Sequence, residues 1–197
     1  MFNDYQKNKR HCLCIIFIIA LLLSTMLCCF AETMNQDNEM TEEIKLTENE
    51  FHQKYAIGLN NLVWNLLDKE EKTQQDKDMM IHAAHTSLYH WSRIGTAINL
   101  QRGEWLISRV YAVLNRPEAA VYHAENCLAL TKEHGFLDFD LAYAYEAMAR
   151  AYASAGNTTE FEKNFKLARE AGEKIAAEEN RTLFFDDLNS EPWYGMK

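Results

Sequence analysis

His82 and His85 are the residues whose type and spacing first suggest chemistry. On a helix, histidines three apart stand on one face, and two imidazole nitrogens placed there can share a metal ion. A catalytic zinc site also needs a third ligand and a general base. In the helical zinc motif that base is a glutamate between the histidines, whereas here the intervening positions are Ala83 and Ala84. His123, Asp138 or Glu146 would have to complete the set from elsewhere in the chain. Together with Tyr89 and Arg93, the same histidines read more simply as a polar stripe opposite Met80, Ala84 and Leu88, packing or hydrogen-bonding at a helix interface. No Ser-His-Asp arrangement and no Gly-rich phosphate loop stands beside them.

The elements that position these residues are helices. Only two prolines, Pro117 and Pro192, and seven glycines interrupt 197 residues rich in Ala, Leu, Glu and Lys, too few breakers for a many-turned β architecture. A hydrophobic fraction of 48% supplies a core for one domain and excludes a disordered chain. The net charge is −9, and setting aside Lys7, Lys9, Arg10 and Asp4 of the first 31 residues leaves 17 basic against 28 acidic side chains. Such a surface repels phosphate backbones, which argues against nucleic acid as a partner.

Residues 1–31 read as an address. Lys7, Lys9 and Arg10 precede an uncharged apolar run from Cys12 to Phe30, broken only by Ser24 and Thr25, with Ala31 as a small residue for cleavage. The run is also close to the ~20 residues that span a bilayer, so a cleaved signal and an uncleaved anchor through residues 12–30 both fit. Either way the charge step places the following domain outside the cytoplasm. A start at Met34 or Met40 would instead make the protein cytoplasmic. Four of the five cysteines, Cys12, Cys14, Cys28 and Cys29, belong to this segment, so Cys127 has no partner in the domain and is expected to be a buried, inert thiol.

After a polar linker, residues 32–45, six helices are expected in three antiparallel pairs. Thr47 and Glu50 form a capping box, and Phe51, Tyr55, Leu59, Leu62 and Leu66 mark an apolar face running to about Leu67. A second helix carries the stripe Met80, Ala84, Leu88 and Trp91, and stops at Gly95. The third runs from Leu100 to Leu114. Pro117 opens the fourth, which continues to Glu133. Asp138 is the expected N-cap of the fifth, which ends at Ala155, and the sixth covers Thr159 to Glu178. Residues 181–197 then leave the helices with Leu183, Phe184, Phe185, Leu188, Trp193 and Tyr194, too much apolar surface to stand in water.

Helices three to six resemble two tetratricopeptide units. Ile107, Ser108 and Tyr111 precede the turn Asn115-Arg116-Pro117-Glu118, followed by Ala120, Ala124, Cys127 and Leu128; Met148, Ala149 and Tyr152 precede Gly156-Asn157, followed by Phe161, Phe165 and Ala168. The two tyrosines stand 41 positions apart, against a usual period of 34, with the excess in residues 134–140. The resemblance implies an all-α fold for residues 46–180, three antiparallel hairpins in a right-handed stack. It also implies an inner groove lined by the first helix of each pair. Carried over, it places Arg102, Trp105 and Arg109 on a common surface with Tyr143, Glu146 and Arg150. Arginines there can grip a carboxylate with two hydrogen bonds, and the aromatic rings add rigid contact area. The competing expectation is that Glu146 pairs internally with Arg150, four residues on, and with Arg109 across helices.

The function that follows is a non-enzymatic module that binds a protein or peptide in this groove, without a cofactor. The alternative is a metal-binding bundle, or a metal-dependent hydrolase, built on His82 and His85. The aromatic tail either caps the open end of the stack or fills the groove.

Overall fold

The computed structural model describes residues 45–197; the segment 1–31 and the linker up to residue 44 lie outside the described residues. The described residues form seven helices and no strand: α1 Glu48–Leu67, α2 Gln74–Ile94, α3 Ala97–Val113, α4 Pro117–Glu133, α5 Asp138–Ser154, α6 Thr158–Gly172 and α7 Glu178–Asn189. None of these helices is long and apolar enough to cross a membrane.

Local chemistry sets most of the ends. The Thr47–Glu50 capping box forms as expected, and a second one, Thr73 with Asp76, starts α2 within the charged stretch 68–78 expected to carry the turn and the polar start of that helix. Pro117 is the first residue of α4. Asn115 and Gly156 adopt left-handed backbone, φ 54° and 70°, which lets α3 and α5 reverse tightly into α4 and α6. Asp138 does not cap α5. Its backbone is left-handed, φ 57°, and its carboxylate accepts the Ala176 N–H at 3.3 Å, beyond the far end of α6.

Neighbouring helices pack as antiparallel pairs, because the residues that meet run in opposite order. In the first pair His52 meets His90 and the Ser87 hydroxyl donates to Ala56 O at 2.8 Å. In the second, Gln101 reaches Thr131 at 3.1 Å and Ser108 reaches Ala120 O at 2.9 Å. In contrast, α3 and α5 run in the same direction, with Arg102 beside Asp140, Trp105 beside Tyr143 and Arg109 beside Glu146. Ala120, Ala124 and Cys127 are fully buried, and side chains this small let helices approach closely. Trp105 lies against Trp64 of α1 on one side and Tyr143 of α5 on the other, with ring centres 5.7 and 5.2 Å away. It is the side chain that borders all three clusters of the core.

Two further expectations are corrected. The apolar face of α1 is shifted at its start only: Phe51 and Tyr55 are 43% and 44% exposed and His52 and Ala56 are buried in their place, while Leu59, Leu62 and Leu66 face the core as expected, with Val63 beside them. The small Ala56 and the His52–His90 contact bring α2 close there, and the two aromatic rings lie along the seam against His90 instead. The sixth helix stops at Gly172 rather than Glu178, and residues 178–189 form a seventh helix instead of an irregular tail. Gly172 is where α7 crosses, since a Cβ at that position would strike the Phe184 ring. Phe184 and Leu188, one turn apart, are buried against α5 and α6, and the chain beyond α7 buries Trp193 in the same cluster.

Candidate functional site

The six residues expected to line the groove do converge between α3 and α5, but most of them face each other and the C-terminal segment rather than solvent. Glu146 is fully buried. Its carboxylate accepts from Arg109 Nη1 at 2.8 Å, from Arg150 Nε, and from the Trp105 indole at 3.0 Å. Burial opposes its charge, yet the two guanidinium groups outweigh that cost and hold it below the ordinary glutamate range. Arg150, 1% exposed, turns its remaining N–H groups to the tail. It donates to Asp187 O at 2.6 Å, Ser190 O at 3.1 Å and Pro192 O at 3.2 Å, and it stacks over the Trp193 ring at 4.1 Å. Arg109 Nη2 reaches Ser190 Oγ at 3.3 Å, and the Tyr143 hydroxyl donates to Asp187 Oδ2 at 2.6 Å. Burial, together with that carboxylate, pushes the Tyr143 phenol well above its usual range. The Tyr194 hydroxyl donates to Ala112 O at the end of α3.

The expectation of an open groove at Arg109, Tyr143, Glu146 and Arg150 is therefore corrected. The tail covers them, and both guanidinium groups are paired with Glu146 inside. Arg102 stands apart. Its side chain is 58% exposed and grips Asp140 through Nε at 2.8 Å and Nη2 at 3.2 Å, and that hydrogen-bonded partner raises its pKa.

Arg102 lies at the rim of a cleft of about 180 Å³ between α1, α3 and α5, walled by Trp105, Leu106, Phe139 and Tyr143, with Asn60 and Asp140 also at its edge. Gln101 belongs to the same lining but is only 1% exposed. Its Nε2 lies within hydrogen-bond distance of Thr131 Oγ1 at 3.1 Å, Asp140 O at 3.2 Å and Cys127 Sγ at 3.3 Å, while its Oε1 is buried with no partner among the described residues. Nothing in the sequence singles out Gln101, because its burial depends on α4 and α5 closing around it. Cys127 sits in this packing, and burial raises its thiol pKa far above the reactive range.

The histidines pair with other groups. His85 Nε2 meets the Tyr111 hydroxyl at 3.0 Å, and His123, beside it at a centroid distance of 5.3 Å, is held through Nδ1 by Glu104 at 2.6 Å. His82 is exposed one turn away. Of the residues offered to complete a metal site, His123 is close to His85, whereas Asp138 and Glu146 are committed elsewhere. Among the described residues no three His, Cys, Asp or Glu side chains are arranged to hold a metal ion.

A buried imidazole pair, unmarked in the sequence, joins α1 to α2: His52 Nδ1 and His90 Nδ1 lie 2.8 Å apart, with Glu48 3.9 Å from His52 Nε2. One ring must be neutral to accept the other's proton. Burial, then the His52 charge, lowers the His90 pKa below 6.5, and burial with His123 alongside lowers that of His85. A base with a depressed folded pKa binds its proton more readily in the unfolded chain. The stability it contributes is therefore present above the unfolded value and is lost as pH falls from about 6.5 through the folded values. The melting temperature is expected to drop between about pH 7.5 and about pH 5.5, with part of the drop absent in His90→Gln. An identical acid response in that variant would remove the pair from the account.

Comparison with family models, curated proteins and solved structures gives no match to this chain.

Proposed function

We propose that residues 46–180 are a tetratricopeptide-like stack of three hairpins, wound to the right, that acts as a non-enzymatic interaction module for a protein or peptide. The antiparallel pairs, the parallel course of α3 and α5 and the small residues at their contacts support the architecture. The observation that carries the function is the cleft beside Arg102. It keeps the features of a recognition surface, aromatic walls with a few polar groups at the rim, where the tail leaves the inner helices open. The covered residues Arg109, Glu146 and Arg150 serve as its rigid support, and Trp105 links that support to the cleft wall. The metal alternative has no comparable support, since His85 already spends its Nε2 on Tyr111.

Selection of a displayed random peptide library on the full-length protein tests this. Asn60 is half-buried at the cleft edge on α1, so Asn60→Trp fills the cleft without entering the core. Selected peptides are expected to lose about tenfold or more in affinity for that variant, as when a central anchor is removed. Peptides that bind both forms equally, or no enrichment at all, would count against the cleft as the binding surface.

A further inference from the structure

We infer that the His52–His90 pair is a proton-operated catch: it holds the first half of α1, residues 48–58, against α2, and a second proton on the pair releases that half while the core stays folded. This goes beyond the peptide-binding reading and does not depend on it.

The two atoms that meet set the chemistry. His52 Nδ1 and His90 Nδ1 are 2.8 Å apart, which leaves room for one proton between them. One ring donates it, and the other accepts it through a lone pair. A first additional proton keeps this bond, because it goes to the Nε2 of the donating ring; that of His52 faces the Glu48 carboxylate at 3.9 Å. A second one has only the accepting Nδ1 left. Two N–H groups would then point at each other between residues that are each 8% exposed, and the contact must open. The lowered pKa of His90 agrees with its being the ring that takes this proton. The two packed helices offer little to offset the charge. Glu48 of α1 is engaged by the first proton, Arg93 of α2, exposed one turn past His90, adds positive charge, and Tyr55 and Tyr89 lay rings against the imidazoles.

The contacts that His85 and His123 make with α3 survive acid. The Tyr111 hydroxyl can turn from donor to acceptor when His85 Nε2 gains a proton. Glu104 holds His123 more firmly once that ring is charged, and it offsets part of the repulsion between the two rings.

Packing confines the release. Val63 and Leu66, in the second half of α1, belong to the core cluster of Met80, Leu106 and Val110, whereas His52 and Ala56 belong to none of the three clusters. The first half is seated by the imidazole pair, by the Phe51 and Tyr55 rings against His90, and by the Ser87 hydroxyl on Ala56 O at 2.8 Å. All but the last run through the pair itself. Gly58, the poorest helix former in α1, divides the two halves, and a helix as short as the first is marginal once undocked. Such a segment opens locally, ahead of global unfolding.

Amide hydrogen exchange of the full-length protein from pH 7.5 to 5.0, corrected for intrinsic rates, tests this. The opening constant of residues 52–58 is expected to rise about tenfold per pH unit below about pH 6.5, as when the open form holds one more proton than the closed, while the amides of α5 keep their protection. His52→Gln and His90→Gln each retain a hydrogen-bonding side chain without the second charge, and each should flatten that response. Imidazole nitrogen shifts of the unaltered protein need no variant: the closed form should take up one proton, and the second should appear only as protection is lost. A pair that takes both protons with residues 52–58 still protected would overturn the inference. So would a pH response preserved in either folded Gln variant, or protection lost in α5 at the same pH as in α1.

Discussion

Replacing Arg109 and Arg150 together with alanine is expected to destabilise the domain by about 3–5 kcal/mol or more, read as a fall in the thermal or denaturant midpoint by circular dichroism. Glu146 is fully buried and is kept ionised by those two guanidinium groups; in the double variant only the Trp105 N–H remains to it. The sign of its pH dependence should then reverse. In the native protein its pKa lies below 4.5, so its contribution is present above that value and lost only as pH falls through the folded one. In the double variant burial raises the pKa above the unfolded value, so the remaining stability is highest in acid and is lost as pH rises through the folded pKa. Glu146→Met in the same background removes the stranded carboxylate and should recover part of the loss. A double variant that melts like the native protein would show that these arginines are free to serve a ligand, contrary to their burial beneath the tail.

Trp193→Ala is expected to cost about 3–5 kcal/mol, as large a loss as an aromatic core residue gives elsewhere. The indole is fully buried, stacked by Arg150 and packed on Phe161 and Phe165 with ring centres 5.8 and 5.2 Å away. Trp193→Phe should be far milder. It keeps a ring under the guanidinium and removes an indole N–H that is buried without an acceptor among the described residues. This pair of variants separates a structural cap from a displaceable occupant of the inner face. If Trp193→Ala leaves the melting temperature unchanged, the tail is removable, and the network beneath it becomes a binding surface after all.

The features legible in the sequence are those that a few neighbouring residues determine. Thr47 with Glu50, Pro117 as a first helical residue, and Asn115 and Gly156 at reversals act through their own backbone geometry, which the rest of the chain does not change. Most helix boundaries followed from them, and the all-α class from the scarcity of Pro and Gly. The Glu146–Arg150 pair was also visible as a four-residue spacing.

Which residues end up buried was not legible in the same way, because burial is set by whatever packs from a distance. Phe51 and Tyr55 have the spacing of a core stripe and lie on its margin, since α2 approaches over Ala56 and His52. The turn at Gly172 carries little signal of its own and becomes decisive only when Phe184 crosses it. Arg109, Glu146 and Arg150 look like an exposed recognition set until residues 187–193 close over them, and Gln101 looks like any polar helix residue until α4 and α5 leave its Oε1 without a donor. Residue type and spacing determined that this chain makes helices and which charged and aromatic side chains they carry. Only the tertiary contacts of the tail and of α1, α3 and α5 decided which of those side chains are spent on stability and which stay at the surface.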